Sequence, residues 1–284
     1  MRKRLLNIIV LLTLSTLPMV SKAQFSCSDS INSCRIKVTC TTHGVAMLNN
    51  LDTYLSGYNY RGAGYHYNHE NFRDARFGKH KLKYQTHFSG ILGATELYDS
   101  KQYSLLLKRS WSAYKPYRMS ERLQLLAGAQ MQLAGGALYI PTNGNNLVSA
   151  KMRTSLAASA MAIYKIPLRK SRITTRYQID VPLVGIAFSP AFGQSYYEIF
   201  GLGNYDNILH VVHPFNAPSW RHTLSADIPL GKRTTLRASY IADIFQSEIN
   251  ELRTHIYSHT FSIGFVKTLY KIGEGEPLRA CSPY

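Results

Sequence analysis

Ser219 to Phe245 reads SWRHTLSADIPL, then GKR, then TTLRASYIADIF, and this stretch decides the fold. In its first half Trp220, Leu224, Ala226, Ile228 and Leu230 share one parity, joined by a single polar member, His222. Arg221, Thr223, Ser225 and Asp227 share the other. In the second half Leu236, Ala238, Tyr240, Ala242 and Ile244 alternate with Thr235, Arg237, Ser239 and Asp243. A period of two describes strands with one apolar and one polar face. Two such runs around Gly231-Lys232-Arg233 make a hairpin. With the turn centred on Lys232, Asp227 faces Arg237 and Arg221 faces Asp243. One register satisfies both ion pairs, and opposite charges across a ladder stabilise it.

Met1 to Ala23 reads as a secretory leader to be cleaved before Gln24. Arg2-Lys3-Arg4 is its basic start, Leu5 to Val20 its apolar core, and Ser21-Lys22-Ala23 its small-x-small end. No later run is apolar for long enough to be a membrane-spanning helix. The formal charge of +17 includes four basic residues of the leader, so the exported chain carries +13. Export makes nucleic acid a poor partner for this charge; anionic lipid headgroups and lipopolysaccharide phosphates fit better. Cys27, Cys34, Cys40 and Cys281 are candidates for disulfides in an exported chain, with connectivity left open. Their spacing is not a zinc pattern.

The same alternation recurs along residues 24–270. Residues 24–50 are poorly patterned, with a candidate first strand near Arg35–Leu48. Clearer runs are Tyr58–Phe72, with a bulge expected at Gly62–Gly64, then Lys81–Ala94 and Gln102–Tyr114. Arg122–Tyr139, Leu147–Tyr164, Arg172–Val184, the opening hairpin and Thr254–Leu269 follow. Ser189–Pro218 is the longest irregular segment, and residues 271–284 form a polar tail. These runs exceed the usual five or six residues. Long strands, short turns alternating with longer loops, and aromatic residues near strand ends describe an all-β, closed antiparallel up-and-down transmembrane β-barrel. Lipid leaves no partner for a free sheet edge, so the sheet must close. The expected count is ten strands, or twelve if Ser189–Pro218 hides another hairpin. An even count puts both termini on the periplasmic side. The competing architecture is a soluble exported β-sandwich or lipocalin-like barrel, with the apolar face inside.

Four runs carry a family resemblance. They are Phe188-Ser-Pro-Ala-Phe-Gly-Gln-Ser-Tyr-Tyr-Glu-Ile-Phe-Gly-Leu-Gly-Asn-Tyr205, Leu51-Asp-Thr-Tyr-Leu-Ser56, Asn216-Ala-Pro-Ser-Trp-Arg221 and Tyr257-Ser-His-Thr-Phe-Ser-Ile-Gly-Phe-Val-Lys267. Over Leu51 to Lys267 the chain resembles a domain-of-unknown-function family of exported bacterial proteins expected to be outer-membrane barrels. The resemblance implies fold and location and brings no reaction, substrate or catalytic residue.

Arg176, Asp180, Arg221, Asp227, Arg237 and Asp243 lie on the polar parity of three successive strands. Such a set either selects solutes in a lumen or fills a narrow barrel as structure. Gln194, Ser195, Tyr196, Tyr197 and Glu198 form a candidate mouth or plug segment. His87 and Ser89 invite comparison with the His–Ser pair of barrel lipid hydrolases. Both share the parity of Lys81, Lys83 and Gln85, expected to face the lumen, whereas lipid cleavage needs access to the bilayer. His255 and His259, four residues apart on a strand, are separated by about 13 Å and cannot share a metal ion. His66 and His69 point to opposite faces. No metal site, cofactor or catalytic set is expected.

The leading expectation is therefore an integral outer-membrane barrel without enzymatic activity, acting as a narrow pore, a ligand-gated passage for a small solute, or a structural surface protein. A lipid-modifying acyl hydrolase or transferase barrel is second, and a soluble exported ligand-binding barrel third. The solute and the oligomeric state are not readable from the chain.

Overall fold

The computed structural model describes residues 35–77, 80–144, 146–168, 172–230 and 234–271. The leader expected at residues 1–23, the turn 231–233 and the tail 272–284 lie outside them, as do Cys27, Cys34 and Cys281. The strands in order are β1 (Arg35–Asp52), β2 (Ser56–Phe77), β3 (His80–Leu97), β4 (Ser100–Arg118), β5 (Leu123–Tyr139) and β6 (Val148–Pro167). Then come β7 (Arg172–Phe188), a short helix α1 (Tyr196–Phe200), β8 (Leu209–Val212), β9 (Ser219–Pro229), β10 (Thr235–Ile249) and β11 (Leu252–Lys271).

Neighbours pair antiparallel throughout, β1 pairs with β11, and β6 pairs with β7, so the sheet closes. The wall has ten strands: β1 to β7 and β9 to β11. A circuit of ladder rungs shows the stagger. It runs from Thr174 through Asp227, Arg237, Gly264, Thr42, Asn68, Ser89, Lys108, Ala134 and Arg153, and returns to β7 at Ala187, thirteen residues on. A stagger of this size tilts the strands and sets the bore of a closed barrel.

The segment Ser189–Pro218 holds no extra hairpin, so the alternative count of twelve falls. β9 pairs with the first part of β7, Thr174–Asp180, and β8 pairs with its last part, Gly185–Phe188. β8 and β9 thus run the same way along one edge, with residues 213–218 as surplus chain between them. β7 answers with a bulge of its own: Leu156 pairs with Val184 but Ala157 pairs with Pro182, leaving Leu183 extra. One added residue flips parity. Arg176, Gln178 and Asp180 are buried on even numbers before the bulge, and Ala187 is buried after it.

No bulge exists at Gly62–Gly64; pairing with β1 and β3 runs through both glycines without a shift. Glycines serve the wall by admitting close neighbours instead. At Gly264, opposite Thr42, a Cβ would collide with the Thr41 carbonyl and sit 2.6 Å from the Thr42 Cα.

Exposure divides the wall by parity. Outward-pointing Val45, Phe261 and Ile263 are 59%, 59% and 60% exposed, whereas inward-pointing Arg237, Arg176 and Asp227 are 2%, 3% and 4% exposed. β1 departs from the expected division: its apolar Val38 and Cys40 are the inward members, and Thr39 and Thr41 point out. The barrel interior near the termini is therefore not uniformly polar. Gly264→Val should prevent the β1–β11 seam from closing. The heat-modifiable gel mobility that marks a folded barrel is expected to disappear, and a normal folded band would contradict this account of the glycine.

Candidate functional site

The barrel interior is the candidate site, and it is layered. At the end carrying the first and last described residues, Val38, Cys40, Phe72, Tyr114, Leu126, Met161, Ile163 and Val266 form an apolar cluster across the bore. Cys40 is a free, buried thiol in this layer. A lumen filled by side chains is what a barrel of this size leaves room for.

Beside and above this plug lies a buried ion network. Arg237 donates from Nε and Nη2 to Asp227 Oδ1 and Oδ2 at 2.5 and 2.7 Å, at the register set by the Lys232-centred turn. Its remaining nitrogen, Nη1, donates to Glu70 Oε2 at 2.7 Å. Glu70 also accepts the paired nitrogens of Arg176 at 2.8 and 2.7 Å. One carboxylate from β2 therefore ties β7 to β10 across the lumen, through the two-nitrogen fork of Arg176 and a single N–H of Arg237, whose own fork holds Asp227. Around it Gln85 Nε2 donates to Glu70 and to Gln178 Oε1, and the Tyr114 hydroxyl donates to Gln85 Oε1 at 2.8 Å. Asp180 accepts from Ser159 at 2.5 Å and from Gln178 at 2.9 Å.

A second ion cluster sits further along the bore. Asp243 accepts from Lys108 and lies 3.6 Å from Arg221 Nη1. Arg221 also donates to Ser89 Oγ at 3.3 Å and approaches His87 Nε2 at 3.5 Å. His87 and Ser89 are thus both directed at Arg221, with no hydrogen bond between them. Beyond this cluster a cavity of about 120 Å³ opens, bordered by Lys108, Arg153, Phe245 and Ile256 among others.

The far end is capped. Tyr54, Leu55, Tyr60, Leu138, Ile140 and Leu252 form a second apolar cluster, against which Tyr196 of α1 packs. The segment around α1 folds over the mouth for local reasons. Ser195 caps the helix, its Oγ accepting from Glu198 N while Glu198 Oε2 accepts from Ser195 N, a reciprocal capping box. Gln194 Oε1 accepts from Ala191 N, and Gln194 Nε2 donates to Asn204 O. Tyr54 donates to Gln194 O at 2.9 Å, and Tyr196 Oη accepts from Ala150 N at 2.6 Å. The Phe188, Tyr196 and Phe200 rings stack within 6.5 Å of one another. Of the five candidate mouth residues, Tyr197 alone is largely exposed, at 70%. Burial pushes the Tyr54 and Tyr196 phenols above their ordinary value.

Other candidates separate. Buried His66 and outward His69 lie on opposite faces of β2, and His69 bonds Thr41 at 2.9 Å. Outward His259 bonds Tyr240 at 2.8 Å. Among the described residues no group of three metal-ligating side chains comes together. Sequence reasoning missed Glu70, Lys108, Arg153 and the pair of half-buried Lys151 with buried Asp52, which meets at 2.8 Å. The available signal was parity: Glu70 shares its face with His66 and Asn68, the polar inner positions of β2.

Glu70→Gln removes the carboxylate between two buried guanidinium groups and should cost about 3–5 kcal/mol in reversible unfolding. Replacing Glu70, Arg176, Arg237 and Asp227 together by apolar residues of matching volume should cost much less. Equal losses would contradict the network as drawn. Because the folded lid favours neutral Tyr54 and Tyr196, its stability is complete below about pH 10, the ordinary tyrosine value, and falls as pH rises through the raised values. Proteolysis within residues 189–208 should accelerate above that pH, and Tyr54→Phe should blunt the effect.

Several solved structures are similar to this chain at low sequence identity. The outer membrane protease OmpT from Escherichia coli is 6% identical, with a TM-score of 0.44 over 86% of this chain and 100% of that one. The translocator domain of the autotransporter NalP from Neisseria meningitidis is 10% identical, with a TM-score of 0.43 over 85% and 90%. An outer membrane channel from Pseudomonas putida F1 is 10% identical, with a TM-score of 0.36 over 85% and 97%. Likeness this distant carries nothing about activity. No curated protein sequence matches. A family profile does: over residues 6–276 the chain matches, and so belongs to, the family described as "Protein of unknown function (DUF3316)".

Proposed function

We propose that this chain is an integral protein of the bacterial outer membrane, exported by a cleaved leader, whose barrel is sealed at rest. It serves as a structural surface barrel or as a passage that opens only when a ligand moves the lid. The observation that carries this reading is the division of the wall: large apolar side chains outward, charges enclosed. A soluble barrel needs the opposite, since buried charges without need and exposed apolar belts both oppose folding in water. Long strands and a sheet closed on itself suit hydrocarbon, where each backbone amide needs a protein partner. With the termini periplasmic, α1 and the loops around it face the cell exterior, towards lipopolysaccharide.

The plug, the ion layers and the cap favour a closed resting state over a permanently open narrow pore. The reading is also non-enzymatic. Ser89 and His87 are both engaged by Arg221 rather than by each other, and Ser195 Oγ is occupied as a helix cap. A nucleophile needs a base within hydrogen-bond reach.

Carbonate washing of membranes should leave the protein in the pellet; release into the soluble fraction would overturn the membrane reading. In planar bilayers the purified protein should show no steady conductance. Persistent open-channel current would overturn the sealed resting state.

A further inference from the structure

We infer that the cavity beneath the lid binds a small monocarboxylate with an apolar body, such as an aromatic or short aliphatic acid. The inference deepens the sealed-barrel reading and rests on it. Its central residue is Arg153 of β6. The guanidinium carbon of Arg153 stands 4.3 Å from the Phe245 ring centroid, and among the described residues it has neither a hydrogen bond nor an ion pair. The neighbouring cations are already committed, Lys108 to Asp243 and Lys151 to Asp52. With Arg221 also beside Asp243, four cations meet two carboxylates in and around the cavity, an excess of two positive charges. A half-buried guanidinium facing a cavity with unused donors gains from an anion that meets it. Its planar fork matches a carboxylate with two parallel hydrogen bonds.

The rest of the lining decides the body of the ligand. Ile91, Leu106, Phe245, Ile249 and Ile256 are apolar, with Ser247, Thr254 and Ser258 between them. A volume of about 120 Å³ approaches that of apolar cavities that admit benzene, roughly 150 Å³. A fully hydrated dianion would leave the apolar wall unused, whereas an acid of benzoate size uses both parts.

The test is equilibrium dialysis of the full-length protein in detergent micelles against radiolabelled benzoate, with micelles alone as the blank. Saturable binding near one equivalent is expected. Benzamide, which keeps the ring and loses the charge, should fail to compete. Arg153→Gln should weaken binding by roughly tenfold or more. Arg153→Lys, which keeps charge and bulk but not the fork, should fall between them and covers the case in which the glutamine variant does not fold. Binding no greater than the blank, equal competition by benzamide, or unchanged binding in a folded Arg153 variant would each overturn the site. Failure here in a protein silent in bilayers removes this proposal alone; steady conductance removes the sealed reading beneath it.

Discussion

A sheet with an apolar outer face has no safe edge, and closure is the constraint from which the rest of this structure follows. Ten wall strands pair from β1 round to β11 and back, so the wall has no terminal strand with a free edge. Closure fixes the stagger, and the stagger fixes the bore. A bore this narrow cannot be left empty, because a void forfeits the contacts of its lining. Each strand therefore has to deliver inward side chains that fit those of strands distant in sequence.

The interior meets that demand with charge as well as bulk. Burying guanidinium and carboxylate groups is unfavourable unless each is paired and hydrogen-bonded. Glu70 answers two arginines, Asp227 completes Arg237, and Asp180 is satisfied by Ser159 and Gln178. Pairings across the lumen connect strands far apart in the chain, so they specify which wall faces which. Apolar clusters close the two ends, and the aromatic lid is tied to the β1–β2 turn by Tyr54 and to β6 by Tyr196.

Much of the fold was legible because period two survives in nearly every strand. The hairpin register was legible because two ion pairs, Arg237–Asp227 and Arg221–Asp243, selected the same alignment. Contacts across the bore were not. Nothing local announces that Glu70 will meet Arg176, 106 residues away. Parity was misleading in β1, where Val38 and Cys40 face inward because the bore is plugged there by apolar side chains. The bulge at Leu183 hid as well: Arg172–Val184 reads as one alternation with Leu183 in step, and only the pairing with β6 reveals one extra residue. The glycines at 62 and 64 looked like a bulge but serve close packing against β3. In Ser189–Pro218 the mixture of helix, lid and partial strand leaves no period to read.

Trp111 and Trp220 are the chain's two tryptophans, and alternation places both on the outer wall, of β4 and β9. Fluorescence of the protein reconstituted in vesicles whose acyl chains carry bromine therefore reports directly on which way the wall faces. The account predicts strong quenching by the brominated chains and little by iodide in the surrounding water. Iodide quenching with no response to brominated lipid would contradict it.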